Sequence, residues 1–435
     1  MIFPDYDRQC GWYEVLKNVS DFPPLKEDIV ADVAIVGGGF VGMAAARRLA
    51  ENLPDGRIVL LEALKFGQGA SGRNSGFVID LPHKRDLELA TNDVQQRIIR
   101  LNHAAIDYLE EQIKTHHIDC QWSAAGKYQA AVGERGERYL QHYERLLRQT
   151  GQAYQRLKRQ ELAPIFGTDF YCSAIYTPGG MLMQPAALMR GLADSMPSNV
   201  TLAEHSPVSS LRRDQEWYRL QTPQAEVKAK KVILATSAFT AEFGYMKNRI
   251  LPVMTFASWT SPLSDQDMQK YAGQLDWGIT PADHAGTTVR MTQDRRLLIR
   301  NSYRYAYDYN TSAAQLQKAV RNHRASFLAR YPSLEHIQFE HTWGGTTSLS
   351  GNFQTFFGRV DDGVYTACCD QSVGAARGTI SGKLLADLIT ERPSQQLNDI
   401  QTVSGNPSVL PPRPLLRIGV PIRMTIAHLS SRSEL

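Results

Sequence analysis

Short apolar runs and amphipathic helical patterns alternate along this chain, with glycine-bearing turns at the joints. Val33 to Val36 are four consecutive apolar residues, the pattern of a buried strand. A helical Ala/Arg/Leu pattern follows through Ala50, and Ile58 to Leu61 form a second apolar run. Val94, Ile98, Leu101, Ala105 and Leu109 recur at helical spacing, as do Tyr139, Tyr143, Leu146 and Leu147 after Gly136. These two helices are expected in an inserted segment.

From Gln184 the chain returns to its opening style. PAALMRGLADSM reads as a helix, VTLAEHSPVSSLRR and WYRLQT as alternating strands, and KKVILAT as a buried strand ending at Ala235 and Thr236. Residues 246 to 344 carry runs such as TTVRM and RRLLIRNSYRY, interrupted by a helical stretch from Ala313 to Leu328, which predicts a mixed, mostly antiparallel sheet. VYTACCDQSVGAARGTISGKLLADLI is a second strand, glycine turn and helix, with Ile380, Leu384, Leu385, Leu388 and Ile389 on one helical face. In the final PPRPLLRIGVPIRMTIAHLSSRSEL, Pro414 and Pro421 interrupt any long helix. A strap across the protein's own surface is expected there, with a basic amphipathic segment on a membrane as the alternative.

At 435 residues the chain is long enough for two domains. A formal charge of +4, from 48 basic and 44 acidic residues without a long run of one sign, argues against nucleic-acid binding. Five cysteines without CxxC spacing suggest neither a disulfide framework nor zinc, and fit reduced thiols in a cytoplasm. No window approaches the ~20 apolar residues of a membrane span. The acids and aromatics of MIFPDYDRQCGWYEVLK stand where a signal peptide would be basic and then apolar. A cytoplasmic location is the expectation.

The chemistry begins at Gly37, Gly39 and Gly42, which fall at GxGxxG spacing around Phe40 and Val41. The first glycine permits the turn, the second lets the backbone approach a pyrophosphate, and the third lets the helix pack on the strand. Unpaired amides at the helix start meet the phosphate charge. Glu62, followed by Ala63, ends the second strand twenty residues beyond Gly42, where a carboxylate accepts from both ribose hydroxyls and argues against a 2′-phosphate. Val208 is a candidate for backbone contact with an adenine. The glycine-rich loops at 67–76 and 374–378 add two further contact regions, a distribution that favours FAD over NAD because an isoalloxazine ring must also be gripped.

On these residues the chain resembles the FAD-dependent D-amino-acid oxidase superfamily, which includes sarcosine and glycine oxidases. CGWYE around Gly11, GASGRNSGF, and the WGG of Trp343 to Gly345 look most like its γ-glutamylputrescine oxidase branch. The resemblance implies an α/β fold with a Rossmann-like FAD domain of the glutathione-reductase type, interleaved with an α+β substrate domain on a mixed, mostly antiparallel sheet. The expected FAD segments are 28–80, 184–245 and 345–395, and the substrate segments 81–183 and 246–344. Residues 1–27 form an N-terminal extension and 396–435 a tail.

The resemblance also implies that Gly69, Ala70, Ser71, Arg73, Asn74 and Ser75 lie beside the flavin, with Thr236 and Gly345 in the cofactor cleft. Gly374, Ala375, Ala376, Arg377, Gly378 and Thr379 would lie beneath the pyrimidine end of the ring, where helix amides stabilise negative charge. Trp343 stands near the position of the flavin-tethering cysteine of sarcosine oxidases, and no cysteine lies between Cys172 and Cys368, which predicts non-covalent FAD. Leu298 falls at or near the lysine that assists oxygen there, and Arg300 shares its strand face. Arg300 either replaces that charge, binds a substrate carboxylate, or is a strand arginine without a role. The implied reaction oxidises the C–N bond of a small amine or amino acid to an imine that water hydrolyses. Oxygen is the expected acceptor, with a quinone or protein partner as the alternative; a flavin-bearing subunit inactive without its partner is a further one.

Overall fold

The computed structural model describes residues 3–4, 10–82, 91–283, 285–431 and 434. Parts of the N-terminal extension (1–2 and 5–9) and of the first substrate segment (83–90) therefore lie outside the described residues.

Two large sheets organise the molecule. The first has the strand order Phe356–Asp361, Val364–Cys368, Glu226–Leu234, Ile29–Val36, Ile58–Leu61, Val200–Ala203. Its four inner pairings, from Val364–Cys368 to Val200–Ala203, are parallel. Antiparallel strands Trp217–Gln221 and Ser210–Asp214 extend it beside the opening half of Glu226–Leu234. Strand alternation sorts the central residues onto two faces. Val33 and Ile35 face the core formed with the helices Phe40–Asn52, Asn92–Thr115, Pro185–Asp194 and Gly374–Ile389. Ala34 and Val36 face the core shared with Tyr218 and Leu220.

The second sheet runs Phe339–Leu349, Leu251–Thr260, Leu297–Tyr305, Thr288–Met291, Trp277–Pro281, Lys127–Ala131, Ser173–Thr177, Gln155–Lys158. Only Trp277–Pro281 against Lys127–Ala131 is parallel, so the sheet is mixed and mostly antiparallel as the patterning predicts. Strand Phe339–Leu349 pairs with Leu251–Thr260 up to Leu251↔Leu349. The second sheet therefore continues past residue 344, because the hydrogen-bond ladder, which the sequence does not display, runs on through the glycines.

Three local expectations need correction. The stretch around Ser71 contains a helical turn, Ala70–Arg73, because Gly72 folds directly onto the carbonyl of Gly67. Val208 lies in the loop before strand Ser210–Asp214 and not within a strand, its side chain buried in the core with Val36 and Val59. Arg413–Ser430 is one helix with Pro421 inside it. The proline removes the amide that would bond to Arg417, but both residues are exposed, so water can satisfy that carbonyl.

The start of the chain is part of the core. Trp12 lies edge-on to Trp259 and Trp343, with ring centroids 4.7 and 6.4 Å away. Glu204, fully buried, accepts from the amides of Phe66 (2.7 Å) and Phe22 (3.5 Å) and pairs with Arg190. Arg190 donates to the carbonyl of Ser20 and lies over the ring of Phe22. This ion pair joins the N-terminal segment to the first sheet. Glu204→Ala strands the Arg190 charge and is expected to lower unfolding stability by about 3–5 kcal/mol, read from urea denaturation of the FAD-loaded protein.

Candidate active site

The site lies where the inner strands of the first sheet end at their carboxyl termini, the usual ligand position in open α/β sheets. Val36 leads into Gly37, Leu61 into Glu62, Leu234 into Ala235, and Cys368 into the turn before Gly374. The second sheet closes the other side. A cavity of about 240 Å³ lies between them, lined by Gly39, Phe40 and Val41 from the first turn, and by Thr255, Thr288 and Arg300 from the second sheet.

The glycines have steric reasons. Gly37 has φ +102°, and a β-carbon on it would sit 2.6 Å from the carbonyl oxygen of Ala235. A β-carbon on Gly39 would sit 2.7 Å from the Ser71 hydroxyl, and one on Gly42 would collide with the carbonyl of Gly37. Helix Phe40–Asn52 has no side-chain cap at Gly39; instead the amide of Phe40 donates to Ser71 Oγ (3.0 Å). Helix Gly374–Ile389 also starts without a side-chain cap. Its Gly378 and Gly382 let it approach Phe40 and Val41. Two helix starts thus converge on the cavity, each with amides suited to negative charge.

Glu62 Oε2 accepts from the Gly38 amide (2.8 Å) and Oε1 from the Leu64 amide (2.9 Å). A carboxylate has about four lone-pair sites, so acceptor capacity remains for ribose hydroxyls. Burial raises its pKa, opposed by these two amides. Ala63 continues the turn beside it.

Asn74 accepts from the Gly76 amide (2.8 Å) and donates to the Ser71 carbonyl (2.6 Å), which shapes the loop. Its own carbonyl accepts from Trp12 Nε1 (2.9 Å), and that of Arg73 from Trp343 Nε1 (2.9 Å). Arg73 Nε donates to the carbonyl of Gly344 (2.5 Å), while a β-carbon on Gly345 would come within 3.2 Å of Arg73 Cβ. Ala70, Ser71, Arg73, Asn74, Ser75 and Gly345 all line the cavity, as do Gly374, Ala375 and Gly378.

Other candidates lie elsewhere. Ala376 is fully buried in the helical core. Thr379 donates to the carbonyl of Ala375 (2.7 Å) within its own helix. Arg377 lines a neighbouring cavity. The Thr236 hydroxyl bonds Thr240 (3.0 Å), and its neighbour Ser237 lines the site instead. Gly69 precedes the helical turn and would meet nothing with a β-carbon, so no packing contact explains it.

Arg300 reaches the cavity, and Nη1 donates to Thr288 Oγ1 (3.2 Å). No acidic side chain forms a salt bridge with it among the described residues. Burial lowers its pKa. Leu298, on the same strand face, is fully buried against the tryptophan cluster and does not reach the cavity. Behind Arg300, His323 Nδ1 bonds Ser258 Oγ (2.7 Å); burial, with the Arg300 charge second, pushes its pKa down to about 3.

Asp370 is a residue that sequence reasoning missed. It lines the cavity, accepts from the Ser372 amide (2.9 Å) and from Thr347 Oγ1 (3.3 Å), and has its pKa raised by burial. Its position between the last strand and the glycine turn was the available signal. Thr255, Thr280 and Thr288 offered none, since isolated strand threonines carry no chemical spacing.

A glycine turn at a helix start, a second helix start and a strand-end carboxylate fit a dinucleotide, and together with the two-sheet architecture they point to a flavoprotein oxidoreductase. The chain belongs to the FAD dependent oxidoreductase (DAO) family, whose model matches residues 32–388. FAD is its cofactor. The probable oxidoreductase OrdL of Haemophilus influenzae is 26% identical over 383 residues, 85% of each chain. The γ-glutamylputrescine oxidoreductase of Escherichia coli is 25% identical over 399 residues, covering 88% of this chain and 89% of its own. The crystal structure of glycine oxidase from Geobacillus kaustophilus matches with TM-score 0.71 and 22% identity, over 84% of this chain and 96% of that one.

Glu62→Gln turns an amide donor toward the Gly38 or Leu64 amide and removes the charge offered to ribose. FAD affinity should fall by about 1–3 kcal/mol, measured by titrating apoprotein with FAD. Unchanged affinity would take Glu62 out of the site.

Proposed function

We propose that the chain oxidises the C–N bond of a small, carboxylate-bearing amine or amino acid to an imine, which water hydrolyses to a carbonyl and the released amine. Arg300 carries this reading: it is a desolvated guanidinium facing the cavity without an acidic partner among the described residues. Its fork geometry suits a carboxylate. When bound, FAD supplies the acceptor for the two electrons and the hydrogen leaving the substrate carbon.

The chain's own residues would then orient and desolvate. Arg300, steadied by Thr288, holds the carboxylate and so fixes which carbon faces the cofactor. The reacting amine must be neutral, and a desolvated cleft lowers the pKa of a bound ammonium. No histidine or lysine lines the cavity among the described residues, so the proposal assigns no side-chain base. Asp370 keeps its place beside the Gly374 helix through Ser372 and Thr347.

γ-Glutamylputrescine and glycine, named for two relatives, mark the range of amines to test. Leu298, buried where the resemblance puts an oxygen-side lysine, favours a second reading in which a quinone or protein partner takes the electrons.

Arg300→Leu distinguishes the roles. If Arg300 binds carboxylate, anaerobic bleaching of the flavin by an amino acid should require at least about 100-fold more substrate, the range for truncating a paired buried charge. The matched amine without the carboxylate should be little affected. Normal bleaching with slow reoxidation would assign Arg300 to the oxygen step instead, and wild-type behaviour in both halves would remove it from the chemistry.

No cysteine, histidine or tyrosine lines the cavity among the described residues, which supports non-covalent FAD. Acid precipitation should leave the flavin in the supernatant. Flavin retained by the precipitated chain would overturn that assignment.

A further inference from the structure

Helix Arg413–Ser430 is turned inside out for a surface helix. Leu415, Ile418, Ile422, Ile426 and Leu429 recur at steps of three and four, so they share one face, and all are 55–67% exposed. The opposite face, with Leu416, Val420, Met424 and His428 partly buried, lies against the body. An amphipathic surface helix normally turns its most apolar stripe inward; this one directs an uncharged apolar stripe outward.

That orientation is fixed by contacts at both ends. Arg413 pairs with Glu242 (3.9 Å), and Arg417 lies over the ring of Tyr307 (4.5 Å). His428 stacks on Tyr303 at 4.5 Å. Beyond the helix, the carbonyl of Glu434 accepts from the Thr287 amide (3.0 Å) and from Arg330 (3.1 Å). The helix therefore cannot roll its apolar face inward without breaking these anchors.

The charge pattern selects the occupant. Arg413, Arg417 and Arg423 are all exposed, and no acidic residue occurs between Asp399 and Glu434. A second copy docking helix to helix would bring two sets of arginines together without an acid from either helix to offset them. An anionic surface with an apolar layer beneath it complements both the stripe and the arginines. At 18 residues the helix is about 27 Å long. No helix among the described residues is long and apolar enough to cross a membrane, which leaves this one to lie in the interface plane. It also lies outside the residues that the family model matches.

We propose that helix Arg413–Ser430 docks the folded enzyme peripherally on an anionic lipid bilayer, with Leu415, Ile418, Ile422, Ile426 and Leu429 entering the acyl boundary and Arg423, which flanks the stripe, meeting headgroup phosphates. The proposal is independent of the substrate and of Arg300.

The test is sedimentation of the FAD-loaded protein with phosphatidylcholine vesicles, with and without phosphatidylglycerol. Binding to the anionic vesicles is expected to be at least about fivefold tighter, the factor for one arginine worth about 1 kcal/mol near such a surface. Ile418→Asp/Ile422→Asp should abolish binding while flavin content and anaerobic flavin reduction stay unchanged, since both side chains are exposed. Arg423→Glu should weaken only the binding that depends on phosphatidylglycerol. Failure of the wild-type holoenzyme to sediment with anionic vesicles overturns the proposal, as does undiminished binding by the folded double variant. A dimer that this variant dissociates, without vesicle binding by the wild type, would instead assign the face to a second copy.

Discussion

The site depends on a contact that only glycine permits: Gly42 on the first helix against the carbonyl of Gly37 at the end of the first strand. Without a β-carbon between them, the helix starts directly at the strand end and its amides open into the cleft. A second contact of the same kind, Gly382 against the carbonyl of Val41, brings the late helix onto the early one. Residues more than three hundred positions apart thereby supply two helix starts to one cavity. Positive electrostatic potential is built from backbone there, which requires no mobile side chain to order itself when a cofactor binds.

Between these helices and the second sheet, the turn Ala70–Arg73 and the residues after it act as a hinge plate fixed on both sides. Ser71 caps the Phe40 amide, while the carbonyls of Arg73 and Asn74 are held by Trp343 and Trp12. The tryptophans lie edge-on to one another through Trp259, which ties the loop that lines the cofactor cleft to the second sheet. The N-terminal segment explains its own burial in these terms. Gln184 donates to the Trp12 carbonyl (2.6 Å), and a β-carbon on Gly11 would come within 2.7 Å of the Trp259 ring.

Much of this was legible in the sequence because it rests on short-range rules. The strand, glycine turn and helix from Val33 follow from local apolar runs and backbone sterics, and the antiparallel character of residues 246 to 344 follows from alternation. What the sequence does not display is direction within an element. Gly374, Ala375 and Gly378 reach the cavity, whereas Ala376 and Thr379 of the same helix turn into the core; a motif copied as a block cannot see the helical rotation that divides them. The expectation for Val208 concerns its backbone; the structure shows its apolar side chain buried in the core beneath the sheet. The threonine wall of the cavity is assembled from separate strands, and nothing local marks those residues. Pro421 misled for the opposite reason: a strong local rule yields where the unpaired carbonyl faces solvent.

The same alternation that hid the threonines gives Arg300 its place. Leu297 and Ile299 are committed to the core of the second sheet, and Leu298 to the tryptophan cluster on the other face. Arg300 must follow Leu298 to that face, where the pairing register shifts between Phe256 and Ala257, the residue opposite it. Packing therefore fixes the direction of the arginine before any ligand arrives. A guanidinium held in this way bears its desolvation cost with the neutral Thr288 hydroxyl accepting from it and with a neutral imidazole behind it. Such an arrangement adds little as a scaffold, because a half-buried cation without an anion has no pairing energy to set against its desolvation. On the proposed reading the substrate carboxylate is that anion, so the interaction that costs the free protein stability becomes the one that orients the bound substrate.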